Sequence, residues 1–137
     1  MIMSIIQLAA VALFAIWPFS SGKDYPMTAD PSVPGASGTV HAQRDKDNRN
    51  TKLDVKVDHL ARPSSLSPPA ETYIVWVRPN EGDAVKEGAI GVNGDLKGEL
   101  HIVTVSKDFE VFVTPEQSTG VTMPSSTEIL RAHVSME

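Results

Sequence analysis

From Gly38 onward, apolar and polar residues alternate in short runs closed by Gly, Pro, Asn or Asp, a pattern of strands and turns. Gly38 to Arg44 opens the series, with Val40 and Ala42 on one face. The polar stretch Asp45 to Asn50 reverses the chain into Thr51 to Leu60, where Leu53, Val55 and Val57 alternate with Asp54, Lys56 and Asp58, so this hairpin has one wet face. After a Pro- and Ser-rich connection from Arg62 to Ala70 comes Thr72 to Arg78. Its Tyr73, Val75 and Val77 point one way and Ile74 and Trp76 the other, which predicts a central strand covered on both faces. Val85 to Val92, loosened by Gly88 and Gly91, and Leu96 to Val105 flank the tight-turn signal Asn93-Gly94-Asp95. Phe109 to Thr114 and Thr127 to Val134 complete seven runs, and none carries helical periodicity over three turns.

These runs predict an all-β domain over residues 38–137, an immunoglobulin-like antiparallel two-sheet sandwich of about seven strands, with a closed barrel as the alternative. The loops Arg62 to Ala70 and Pro115 to Ser126 are the expected crossovers between sheets. Residues 23–37, with Pro26, Pro31 and Pro34 among Gly, Ser and Ala, are expected to be a flexible linker. Ahead of it, Ile2 to Phe19 is an apolar run interrupted only by Ser4, Gln7 and Pro18. Residues 1–22 therefore read as an apolar helix serving as an export signal cut near Gly22, or as an uncleaved anchor, since about 17 apolar residues can just span a bilayer. Either way, the expected location is periplasmic or secreted, with membrane contact only through that segment.

Charge and composition narrow the classes. Twelve Lys plus Arg against seventeen Asp plus Glu give a net charge of −5, and all of it lies beyond the apolar run. The one basic cluster, Arg44 to Lys52, is interleaved with Asp45 and Asp47, which argues against nucleic acid as a partner. The absence of Cys excludes a disulfide framework, a bacterial lipoprotein attachment and a blue-copper thiolate site.

Candidate chemistry is thin. No Ser sits in a Gly-x-Ser-x-Gly elbow, and the pairs Asp45 with Asp47 and Glu81 with Asp83 occupy turns, where acids bond their own backbone, so no catalytic residue and no cofactor is expected. Asp45, Asp47 and Asn50 lack the Gly and the downstream Glu of a calcium loop and read as a hairpin turn. Four His and several Met in an exported β-sandwich raise an alternative, a small copper-binding protein. His133-x-x-Met136 would then offer imidazole and thioether, with Met123 as a further ligand. A solvated strand His is the competing reading of His133. A carbohydrate-binding module, stacking sugars on Trp76 and Tyr73, is the second alternative, against which stands the apolar strand that holds both rings. A protein partner could add a strand to a sheet edge, and charged runs taken as outer ones, such as Thr51 to Asp58, look defended against that pairing.

Four blocks in succession also resemble the extracytoplasmic domain of anti-sigma-K-type factors. They are Gly38-Thr39-Val40, then Tyr73-x-Val75-Trp76-Val77, then Gly88 to Val92 before Asn93-Gly94-Asp95 and Gly98, and finally Phe109-x-Val111-Phe112-Val113-Thr114-x-Glu116 running to Pro124. The resemblance covers roughly Gly38 to Val134 and implies an immunoglobulin-like sandwich. No zinc-binding module and no sigma-binding helical segment precedes the apolar stretch, so the sigma-regulating activity is not implied. The expectation is an exported, non-catalytic interaction or structural module with a protein partner in the envelope.

Overall fold

The computed structural model describes residues 22–136, so the predicted signal or anchor helix lies outside the described residues. Nine strands follow one another: β1 (Lys23–Pro26), β2 (Thr28–Ala29), β3 (Ser37–Asp45), β4 (Asn50–Asp58), β5 (Thr72–Pro79), β6 (Val85–Ile90), β7 (Gly98–Thr104), β8 (Asp108–Glu116) and β9 (Leu130–Ser135). One turn of 3-10 helix, Pro63–Ser65, interrupts the β4–β5 connection. The strands form two sheets, not a closed barrel: a four-stranded sheet in the order β1-β3-β4-β7 and a five-stranded sheet in the order β2-β9-β8-β5-β6, antiparallel throughout. The chain is all-β across the described residues, and no helix there is long and apolar enough to cross a membrane.

The inward sets read from alternation meet between the sheets. Val40 and Ala42 of β3 and Leu53, Val55 and Val57 of β4 face Tyr73, Val75 and Val77 of β5 and Phe109, Val111 and Val113 of β8 in one core. A second cluster, Ile74, Trp76 and Phe112, sits on the other face of the five-stranded sheet, where Ala84 and Val121 cover it. Trp76 and Phe112 are cross-strand partners, with ring centroids 6.4 Å apart, and the Arg78 guanidinium lies 4.5 Å over the Phe112 ring. β5 is thus covered on both faces, as its unbroken apolar run predicts, and Tyr73, Val75 and Trp76 are each 0% exposed.

Two expectations need correction. Residues 23–37 are not a linker: β1 pairs with β3, β2 pairs with β9, and Met27, Val33 and Ala36 are buried. The segment straddles the sandwich, giving one strand to each sheet, and Tyr25 Oη donates to the Ser135 carbonyl at 2.8 Å. Pro26 fits because it closes an edge strand, where its missing N–H need not leave a ladder bond unmade. Thr51 to Asp58 is not an outer run either. β4 lies between β3 and β7, and its charges belong to the solvated face of an inner strand.

Candidate functional site

Antiparallel register brings four connections to one end of the sandwich: residues 30–36, 59–71, 91–97 and 117–129. Short turns close the opposite end, between β3 and β4, β5 and β6, and β7 and β8. The long connections are bound to each other and to the sheets. Tyr73 Oη donates to the Ala61 carbonyl at 2.5 Å, and burial pushes that phenol up to about 12. Leu60 is fully buried and its N–H bonds the Leu96 carbonyl at 3.1 Å, tying the second loop to the third. Gln117 Nε2 donates to the Pro69 carbonyl at 2.7 Å, tying the second to the fourth.

The fourth loop is held by a buried polar chain. Trp76 Nε1 donates to Thr114 Oγ1 at 2.8 Å, and Thr114 Oγ1 donates to Glu116 Oε2 at 2.6 Å. Glu116 also accepts from the Ser125 N–H at 3.0 Å and from Ser125 Oγ. Burial alone would raise the Glu116 carboxyl, but the Ser125 hydroxyl, the Thr114 hydroxyl and the Ser125 N–H outweigh it and hold it below the usual carboxylate range. Further out, Arg78 bonds Glu110 and Glu128, and Lys86 Nζ donates to the Thr119 carbonyl at 2.7 Å. The loop therefore lies against the Trp76 face as a fixed cover.

Between the first, second and fourth of these loops lies a depression of about 590 Å³, within the range of ligand sites. Val33, Leu66, Pro68 and Ile129 supply apolar surface, Ser126 and Gln117 supply neutral hydrogen-bonding groups, and no Asp, Glu, Lys or Arg lines it. His59 stands on its rim with φ 55°, a left-handed conformation costly for a residue with a Cβ. Such a surface can take a neutral segment by shape and by hydroxyl and amide hydrogen bonds. It presents no fixed charge that would hold a phosphate or a carboxylate.

A second polar grouping crosses the solvent face of the four-stranded sheet. Asp24, His41, Asp54 and His101 occupy directly opposed positions on β1, β3, β4 and β7. His41 Nδ1 lies 2.6 Å from Asp24 Oδ1, and His101 Nδ1 bonds Asp54, with Glu99 3.8 Å from its other ring nitrogen. The hydrogen bond that the imidazole donates to Asp54 and the charge of that carboxylate, with a smaller contribution from Glu99, raise the His101 imidazole above its ordinary value. Asp54, Glu99 and His101 place one donor atom each within 4.8 Å of one another, so these are the residues that could hold a divalent cation, with Lys56 opposite Glu99 competing for the same carboxylate.

The residues singled out for copper do not converge. His133 faces solvent on β9, with Nε2 2.7 Å from Asp108 Oδ1 though without hydrogen-bond alignment, whereas Met136 packs against the core and its sulfur receives Tyr25 Oη at 3.7 Å. Met123 is exposed in the fourth loop. Trp76 and Tyr73 are sealed and offer no ring to a sugar. Asp45 accepts from the Asn48 N–H at 3.2 Å and from Asn48 Nδ2 at 2.9 Å, which holds its carboxyl below the usual range, as a turn residue does. Among the described residues no Ser hydroxyl is hydrogen-bonded to an imidazole; His41 and His101 bond aspartates.

Sequence reasoning passed over Glu116 and the acid–imidazole row. The first lies two residues past the predicted strand end at Thr114, with nothing local to mark it as buried. The second exists only once register is known: His41, Asp54 and His101 fall in alternating runs, but Asp24 lies in the stretch read as a linker. Compared with family models and with curated proteins, the sequence finds no match.

Proposed function

We propose that this chain is an exported, non-catalytic immunoglobulin-type module whose loop end receives a neutral, extended segment of a protein partner in the envelope. The observation that carries this reading is the uncharged depression among three of the long loops, residues 30–36, 59–71 and 117–129, held open by hydrogen bonds that run back to the buried core. Loops fixed on a rigid two-sheet scaffold are where such folds place recognition. The order of strands supports the immunoglobulin type: β4 and β7 lie side by side although the β5–β6 hairpin intervenes in the opposite sheet. The apolar run from Ile2 to Phe19 supports export, and the four blocks resembling anti-sigma-K extracytoplasmic domains agree with an envelope location.

The test is cross-linking of the full chain in its own envelope. Leu66→Asp places a charge in the depression and should remove the specific cross-linked partner. Lys46→Glu, at the opposite end, should leave it in place. Equal cross-linking by both variants would overturn the reading.

A further inference from the structure

Among the described residues the two sheets present four edges, β1, β7, β2 and β6. Edge strands expose unpaired N–H and C=O groups, and proteins blunt them by brevity, proline, lysine or a bulge. β2 has two residues; β1 has four, starts at Lys23 and ends at Pro26. β6 carries Lys86 and Gly88, and its pairing with β5 shifts register between Val75 and Trp76. β7 is neither short nor interrupted by proline, lysine or a bulge, and its charged groups, Glu99 and His101, are of opposite kind. Its seven residues, Gly98 to Thr104, pair along their whole length with β4 on one side, and among the described residues no backbone hydrogen bond reaches them from the other. Val103 is 58% exposed on this strand and Val105 79% exposed just beyond it.

We propose that β7 pairs antiparallel with β7 of a second copy of this chain, about a two-fold axis at Leu100, so that Glu99 of each copy faces His101 of the other. Charge complementarity selects this register. Centring on His101 would set Glu99 against Val103 and imidazole against imidazole, and centring on Ile102 would set Glu99 against Val105 and His101 against Val103. Of these three, the Leu100 register alone sets an acid against an imidazole, an unlike pair that stabilises a cross-strand contact. It also continues the row already on the sheet: Asp24, His41, Asp54 and His101 alternate acid and imidazole across β1, β3, β4 and β7, and the next position across the edge becomes Glu99 of the second copy. His101 is held by Asp54 through Nδ1, and its Nε2, 3.8 Å from Glu99 of its own strand, is the nitrogen the second copy's Glu99 would share. Val103 then lies opposite Lys97, whose aliphatic stem covers it.

One strand pair is smaller than the interface of a long-lived complex, so the dimer forms and exchanges rapidly, and covalent trapping is the suitable readout. The chain has no Cys, which leaves a clean background. Full-length Glu99→Cys and His101→Cys proteins are purified, mixed and oxidised. Positions directly opposite come within disulfide reach, whereas positions displaced by two residues do not, so the mixture should yield at least about fivefold more covalent dimer than either protein alone. Adding Val103→Lys to both, which opposes Lys97 while keeping an exposed position exposed, should return the yield to that of the single proteins, with circular dichroism unchanged. A mixture no better than its components, or no better than Lys86→Cys on the β6 edge, overturns the proposal.

Discussion

Glu116 is the one carboxylate among the described residues with no exposed surface, and it serves three donors at once from Thr114 and Ser125. Glu116→Gln keeps the shape but places an N–H₂ where one of those donors points. Unfolding in urea should show a loss of about 1–3 kcal/mol, the penalty for a buried donor left unpaired. The carboxyl is lower in the folded chain than in the unfolded one, so its stabilisation is complete above the unfolded value and is lost as pH falls through the folded one. Glu116→Gln should therefore flatten the acid limb of the stability profile, measured by denaturation at a series of pH values. Trp76 reports the same neighbourhood. In a Trp17→Phe chain its emission should be blue-shifted, resistant to acrylamide and unmoved by glycans, because the indole is 0% exposed and its N–H is already bonded to Thr114. A red-shifted, quenchable signal would contradict the sealing of the Trp76 face.

At the scale of elements, the runs located all seven strands from β3 to β9: β3, β4 and β9 bury alternate side chains, which is the period-two trace, whereas β5 and β8 show as apolar runs because both their faces are covered. Ends moved by a few residues: the last strand runs Leu130–Ser135, where Thr127 to Val134 was expected, since the loop's attachments to Glu116 and Arg78 delay its start. β1 and β2 were illegible. Strands of four and two residues are too short for a period to register, and their proline spacing mimics a linker. Their contribution is nonetheless structural. Met27→Ala should cost about 2 kcal/mol by thermal or urea denaturation, as a buried methionine truncated to alanine does. Amides of residues 23–29 should exchange slowly with deuterium, where a flexible linker would exchange at once. At the start of β7, Gly98 packs so closely on the Gly91 carbonyl that a Cβ would overlap it. Gly98→Ala should destabilise the chain and displace loop 91–97, seen as new amide shifts confined to the loop end.

Among the described residues the two sheets turn most large apolar side chains to the interior, and the loop-end depression and the β7 edge are two surfaces open to further contact. The loop end was visible in sequence only as two long Pro- and Ser-rich connections. That they meet, and meet around an uncharged depression with His59 strained at its rim, depends on which strands pair, and pairing is not written in any local run. A photoreactive residue placed in turn at positions 65, 66, 117 and 126, and at positions 46, 49, 82 and 107 of the opposite end, maps the working surface in the full chain within its own cell. The loop-end positions should capture one and the same partner while the opposite end captures none; capture from the opposite end alone, or equally from both, would contradict the account.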